Sequence, residues 1–117
     1  MAEKASREYF EPPATVFAAL LDGLPQPQFR IVSSDPTSGL IRARARATVL
    51  SWGEKVTIHV QALPDEHTAV TVESQFRFIQ TWAWGPVHEY NFKLIFDMLD
   101  WRLGPSRSLP EPDTPAP

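Results

Sequence analysis

Four stretches in the middle of the chain alternate between apolar and polar residues, and this period of two constrains the fold more than any other feature of the sequence. The clearest stretch is 41–49, in which three arginines and a threonine separate five apolar residues. The same alternation recurs over 29–33, 55–62 and 70–78. Because successive side chains of a β-strand point to opposite faces, each stretch predicts a strand with one buried face and one face in water.

Short turns connect the four predicted strands. They cover 35–39, 51–53 and 64–67, and Gly, Pro, Asp and Ser are prominent in them. Turns of this length join antiparallel neighbours, whereas a parallel crossover needs about a dozen residues or more. The sequence therefore predicts a four-stranded antiparallel meander.

The apolar faces of the four strands must coincide, and this requirement restricts how the strands pair. A slip of one residue in the pairing would point every buried side chain towards the solvent. We expect Ala47 to lie opposite Val56, and Val60 to lie opposite Val72. This pairing forms two rows on the polar face, with Arg44, His59 and Glu73 in one row and Arg46, Thr57 and Gln75 in the other.

Helical signals lie on both sides of this meander. Residues 13–22 begin with a proline, carry an apolar stripe and stop at Gly23. A second helix is predicted from Pro86 to about Arg102, after a loop over 81–85, and Gly104 ends it. Both helices must cover the apolar face of the sheet, which gives a two-layer α+β domain of order α-β-β-β-β-α.

The length of 117 residues fits a single domain. Five of the twelve prolines lie in 104–117, where apolar residues are few, so this tail is predicted to be disordered. Residues 1–6 are expected to fray. The structured body therefore spans 7–103, and 7–11 is permissive for a short edge strand at its start.

Charge and composition exclude several classes of function. Lys and Arg number 11 against 14 Asp and Glu, so the net charge of −3 gives no overall attraction to nucleic acid or to an anionic membrane. The chain has no cysteine, which removes disulfides and thiolate chemistry. Residues 1–7 lack the apolar stretch of a signal peptide. We therefore expect no nucleic-acid or membrane partner, no cofactor and a cytoplasmic location.

Several short motifs resemble those of small uncharacterised bacterial domains with the order α-β-β-β-β-α. The motifs are residues 12–20, 29–32, 35–43 and 51–58, together with Trp84 and Gly85 before the last helix. These domains are similar in outline to the helix-grip folds of the START and polyketide-cyclase superfamily, and to the repeated domain of an outer-membrane assembly lipoprotein. The resemblance covers about residues 9–102. It implies a helix-grip-like fold and suggests a small apolar ligand, but it carries no catalytic signature.

Three arginines of the second predicted strand share one face, because they are spaced by two residues. Arg42, Arg44 and Arg46, with His59 on the next strand, form a face that could clasp a phosphate or a carboxylate. The alternative is an ordinary solvated or partner-facing sheet surface. Proteins that bind single-stranded nucleic acid stack bases on aromatic side chains, and the predicted polar face has none.

His59 and Glu73 are neighbours in the predicted register, and they are a candidate pair for acid-base chemistry. No nucleophile accompanies them, and an open sheet does not exclude water. The simpler interpretation is a polar cross-strand contact. The pairs of histidine and glutamate at 66–67 and 88–89 lack the spacing of a metal site. We therefore expect no metal, and catalysis ranks last among the hypotheses.

Aromatic residues are concentrated near the last predicted helix, and they include Trp82, Trp84, Tyr90, Phe92 and Trp101. One interpretation is that they fill the core between helix and sheet. The other is that the tryptophans are partly exposed and anchor a partner, since Trp and Tyr dominate interface hot spots. The leading hypothesis is a non-enzymatic domain that acts by protein-protein contact, including self-association as a homodimer. The alternative is binding of a small apolar ligand between the last helix and the sheet.

Overall fold

The computed structural model describes residues 2–24, 29–45, 54–76, 81–104 and 106–109, with the backbone alone at 2–3, 54, 76, 81–91 and 107–109. Within these residues the chain forms six strands and two helices. In chain order they are β1 Ala2–Tyr9, α1 Pro13–Gly23, β2 Phe29–Asp35, β3 Leu40–Ala45, β4 Glu54–Ala62, β5 Thr68–Phe76, α2 Thr81–Leu103 and β6 Arg107–Leu109.

The six strands form one antiparallel sheet in the order β2-β3-β4-β5-β1-β6. Strands β2 to β5 follow one another in the sheet as they do in the chain, which confirms the predicted meander. Helix α1 contacts α2 and β4, and α2 also contacts β1 and β5. The predicted α+β class, with an antiparallel sheet and two helices, is confirmed.

The apolar sides of the strands and helices meet in one core. Ile58 and Val72 of the sheet are completely buried, as are Leu20 of α1 and Leu99 of α2. Ala45 is also buried in this core, and its small side chain leaves room for the helices to approach the sheet. Burying these side chains supplies the main stabilising contribution, at about 25 cal/mol per Å² of apolar surface removed from water.

β1 differs most from the sequence-based prediction. It spans Ala2–Tyr9 and pairs with β5 along its whole length, whereas the sequence predicted a frayed end over 1–6 and only a short edge strand after it. Tyr9 is buried in the core, and Arg7 takes the inward position two residues before it, with its guanidinium carbon 5.0 Å from the centre of the Phe96 ring. Because a charged residue occupies an inward position, this segment lacks the alternation of apolar and polar residues that would have predicted a strand.

The last helix and the tail also need correction. α2 begins at Thr81, so the predicted loop over 81–85 is helical, and Pro86 lies in the second helical turn. Residues 107–109 form β6 within the segment predicted to be disordered. Backbone hydrogen bonds hold β6 against β1, and such bonds do not require apolar side chains. The remaining tail, 110–117, lies outside the described residues.

The strands pair in a register that differs from the predicted one. Ala43 rather than Ala47 lies opposite Val56, and Val70 rather than Val72 lies opposite Val60. Both shifts are even, so every side chain keeps its predicted face. The two predicted rows on the polar face are nevertheless wrong, since Arg44 pairs with Lys55, Arg42 and Glu73 both pair with Thr57, and His59 pairs with Leu40 and Thr71.

A cluster of polar side chains lies between β1 and α2. The Tyr9 hydroxyl donates a hydrogen bond to Asp100 Oδ1 at 2.9 Å, and Arg7 Nη1 donates to Asp100 Oδ2 at 3.1 Å. Ser106, just before β6, donates to Asp100 Oδ1 at 2.7 Å. One carboxylate on α2 therefore joins the helix to β1 and to the segment that leads into β6.

Candidate functional site

Helix α1 has two apolar faces. One face contacts the core through Val16 and Leu20, which are completely buried. The other carries Ala14, Phe17, Ala18 and Leu21, whose spacing of three and four residues forms a second stripe along the helix. Phe17 and Leu21 of this stripe also pack against the core, whereas Ala14 and Ala18 are exposed and leave space beside the helix.

A cavity of about 670 Å³ lies between this second face and the turn that joins β2 to β3. We call it the α1 cavity. Its lining residues are Pro13, Ala14, Phe17, Ala18 and Leu21 of α1, Ser34 at the end of β2, Pro36, Thr37, Ser38 and Gly39 of the turn, and Val60 and Ala62 of β4. The volume falls within the range of about 300–1,000 Å³ that is common for small-molecule sites.

Short backbone contacts hold the turn that forms one wall of the cavity. Asp35 accepts a hydrogen bond from the amide of Thr37 at 3.0 Å through Oδ1, and another from the amide of Gly39 at 2.9 Å through its carbonyl. The Gly39 carbonyl in turn accepts from the amide of Val60 at 2.8 Å. The wall is therefore tied to β4 before any ligand binds.

The lining of the α1 cavity is mainly apolar and carries no charged residue among those described. Its polar side chains are the hydroxyls of Ser34, at the end of β2, and of Thr37 and Ser38 on the turn. An apolar surface with a few hydroxyls at one side suits a neutral molecule that has a small polar group. Among the described residues it contains no nucleophile paired with a base, the arrangement that covalent catalysis uses.

Of the residues that the sequence proposed as an interface or ligand lining, the structure describes the side chains of two. Phe92 is partly buried against the core, and Trp101 is 85% exposed on α2. Trp82, Trp84 and Tyr90 belong to the backbone of α2, but their side chains lie outside the described residues. Neither Phe92 nor Trp101 lines the α1 cavity.

The basic face lies on the opposite side of the sheet. Arg42 is exposed, Arg44 is half-buried, and Arg46 lies outside the described residues. His59 is half-buried opposite Thr71.

Glu73 does not pair with His59 as the sequence predicted. Its carboxylate lies 3.9 Å from Lys4 Nζ instead, and its cross-strand partner is Thr57. We therefore assign no reaction to His59.

The other histidine that the structure describes with its side chain is His67, beside the β4–β5 turn. Its Nδ1 lies 2.7 Å from Glu8 Oε2, and its ring meets the Phe10 ring edge-on at 4.9 Å between centroids. In the described part of the chain, no group of three or more acidic, histidine or cysteine side chains is arranged to hold a metal ion. The described helices include none with the length and apolar character of a membrane span.

Sequence reasoning missed the α1 cavity, although one signal for it was present. Ala14, Phe17, Ala18 and Leu21 have the spacing of a stripe, but the sequence pattern predicted a single apolar stripe on this helix. Whether a second stripe meets the core or an open space depends on where the β2–β3 turn lies, and the sequence pattern does not specify that position.

Comparison with known proteins identifies the fold. No protein-family model matches the chain, and no curated protein matches it significantly. PFC0360w, an HSP90 activator from Plasmodium falciparum, superposes with a TM-score of 0.65 at 13% identity, over 92% of this chain and 99% of that one. MLL2253 from Mesorhizobium loti gives a TM-score of 0.62 at 14% identity, over 86% and 95%. CalU16 from Micromonospora echinospora gives 0.60 at 14% identity, over 90% and 87%.

At these identities the likeness shows the fold alone. The matched structures are small α+β domains of the helix-grip type, which confirms the helix-grip-like outline implied by the sequence motifs. The finer resemblances, to a small bacterial family and to the repeated domain of a lipoprotein, stay predictions.

Proposed function

We propose that the chain binds a small, neutral, mainly apolar molecule in the α1 cavity. The observation that carries this proposal is the second apolar face of α1. Its Ala14 and Ala18 line a cavity whose other wall is a turn that is hydrogen-bonded to β4. Ala14 and Ala18 are exposed, and exposed apolar surface of this kind is available for a ligand to cover.

The helix-grip outline supports the same class of function. The sequence resemblance to helix-grip domains suggests a small apolar ligand, and the fold has the outline of those domains. The position differs from the one expected from the sequence. The described cavity lies beside the first helix, at the β2–β3 end of the sheet, and not under the last helix.

Titration with the neutral fluorescent probe N-phenyl-1-naphthylamine tests the proposal. We expect saturable binding with a blue shift of probe emission, because the probe moves from water into an apolar site. Ala18→Trp places a bulky indole inside the cavity and should raise the Kd at least about tenfold, the change that about 1.4 kcal/mol produces. Thr15→Trp adds the same side chain to an exposed position of α1 that does not line the cavity, and it should bind like the wild type.

Equal Kd values for Ala18→Trp and the wild type would contradict the proposal. A circular-dichroism melt of each variant shows whether it is folded. If Ala18→Trp does not fold, Ala14→Leu tests the same wall with a smaller side chain.

Protein-protein contact through α2 is a second candidate, and the exposure of Trp101 favours it. A tryptophan that is 85% exposed contributes a large apolar surface to water, and tryptophans are enriched at interface hot spots. Self-association is the form that can be tested on the isolated protein. Sedimentation equilibrium should show a mass that rises with concentration and returns to the monomer in Trp101→Ala. A strict monomer at all concentrations would remove self-association through this surface.

A further inference from the structure

The outer face of the sheet, away from the helices, carries a row of cations near the β2 edge. Arg30 of β2 lies opposite Arg44 of β3, and Arg44 lies opposite Lys55 of β4. Arg42 precedes Arg44 by two residues and therefore points to the same face, one row further along the sheet. Four cations thus occupy neighbouring positions in a chain whose net charge is −3.

Three of these cations line a groove. A hollow of about 310 Å³ on the outer face is lined by Val32, Arg42, Arg44, Lys55, Thr57 and Gln75, with Ala43 and Val56 beneath them. We call it the basic groove. Val32 stands at a β-bulge in the edge strand, where the register shifts, and 57% of its surface is exposed. The groove therefore has cationic walls and an apolar side chain at its margin.

The charges of the basic groove are not balanced by the described part of the chain. No acidic side chain lines it, and none of the four cations forms an ion pair or a hydrogen bond through its side chain among the described residues. Two acids lie near the groove without lining it: Glu73, opposite Thr57, pairs with Lys4 at 3.9 Å, and Asp35 shares a neighbouring hollow with Arg42. Like charges directly opposite each other destabilise a sheet, so an anion bound between them would relieve this repulsion.

The chemistry of the lining indicates what kind of anion fits. Each of its five polar or charged side chains can donate a hydrogen bond, and two are guanidinium groups that can bind a phosphate or a carboxylate in a bidentate manner. No aromatic side chain lines the groove among the described residues, so it lacks the stacking surface that single-stranded nucleic acid uses. A small anion suits a hollow of this size better than a polymer.

From these observations we infer that the basic groove binds a small organic anion through its phosphate or carboxylate group, with Arg42, Arg44 and Lys55 as the cationic contacts and Val32 beside the organic part. This site lies on the face opposite the α1 cavity. It does not depend on the function proposed for that cavity.

NMR titration of the full chain with phenyl phosphate, and separately with benzoate, tests this inference at constant ionic strength. We expect saturable shifts in the amide signals of residues 42–44 and 55–57. Arg44→Gln and Arg42→Gln should each raise the Kd at least about tenfold. Arg102→Gln, which makes the same change of charge on α2, is the matched control and should leave the Kd unchanged.

A second variant gives an independent readout. Gln75 lies opposite Lys55, so Gln75→Glu places a carboxylate inside the groove. This variant should bind phenyl phosphate at least about tenfold more weakly, while its melting temperature without ligand should rise because the like charges gain a counter-charge. If the row of cations had only a structural role, weaker binding and a higher melting temperature would not be expected together.

Saturable binding of either probe at residues 42–44 and 55–57 supports the inference, and the stronger of the two identifies phosphate or carboxylate as the preferred group. Shifts that never saturate, shifts that map to other residues, or unchanged Kd values in Arg42→Gln and Arg44→Gln would overturn it. Tighter binding of an oligonucleotide than of phenyl phosphate in about 0.15 M salt would also overturn it, in favour of nucleic acid.

Discussion

At the scale of single residues, the polar cluster around Asp100 shows how one half-buried carboxylate joins distant parts of the chain. Tyr9 and Arg7 of β1 and Ser106 before β6 all donate hydrogen bonds to this carboxylate of α2, so the cluster joins three segments of the chain. Burial raises the pKa of the Tyr9 hydroxyl well above its ordinary value, and the neighbouring Asp100 carboxylate adds to the effect. Tyr9 therefore stays protonated and serves as a donor.

This raised pKa makes the stability of the fold depend on alkaline pH. The folded state holds the Tyr9 proton more tightly than the unfolded state, in which the tyrosine pKa is about 10. The stabilisation is therefore complete below about pH 10 and is lost as pH rises above that value. In urea unfolding between pH 8 and 11, the free energy of unfolding should fall more steeply with pH for the wild type than for Tyr9→Phe. Parallel curves for the two proteins would contradict this assignment.

Gly39 sets the geometry of the cavity wall. Its φ is +74°, in the left-handed region, and an added Cβ would meet the Val60 carbonyl oxygen. Gly39→Ala should lower the free energy of unfolding by more than the roughly 1–2 kcal/mol of a left-handed alanine. Gly104 is a matched control, because its φ is +95° but nothing lies within 4 Å of an added Cβ. Similar losses for the two alanine variants in urea unfolding would show that the contact with Val60 is unimportant.

At the scale of the elements, the alternating pattern predicted which face of each strand is buried but not how far the strands slide past one another. Register shifts of two or four residues leave the burial pattern unchanged, so the pattern alone cannot tell Ala43 from Ala47 as the partner of Val56. The strand face of Arg42 and Arg44 was therefore predicted correctly. Their cross-strand neighbours, and with them the His59–Glu73 pair, were not.

The same limit applies to β1, β6 and the α1 cavity. β1 carries an inward arginine, and backbone pairing rather than an apolar pattern holds β6. The alanines at 14 and 18 are good helix formers in any sequence. Only the folded position of the β2–β3 turn converts them into a cavity wall, so the candidate site could not be located from the sequence.

Close packing between the sheet and the helices gives a prediction at this scale. Ala45 is buried in the core beside side chains from both layers. Ala45→Leu should overpack this region and lower the free energy of unfolding by about 1–3 kcal/mol in a urea titration. Thr57→Leu adds bulk to the outer face of the neighbouring strand and should be much less damaging. Equal losses for the two variants would mean that the buried face is less tightly packed than described.

At the scale of the whole molecule, the sheet separates two surfaces of different chemistry. The helix side holds the apolar core and the uncharged α1 cavity, whereas the outer side holds the basic groove. Because screening by salt weakens contacts between exposed charges, binding of an anion to the groove should weaken as salt increases, but binding of a neutral molecule to the cavity should not. The two proposals can therefore be examined separately in the same protein.

Intermolecular nuclear Overhauser effects between bound N-phenyl-1-naphthylamine and the methyl groups of the full chain would locate the ligand directly. We predict contacts from the probe to Leu21 of α1 and to Val60 and Ala62 of β4. Contacts confined to Ile95 and Leu99 of α2, or saturable binding with no contact to Leu21, would place the ligand elsewhere and contradict the proposed site.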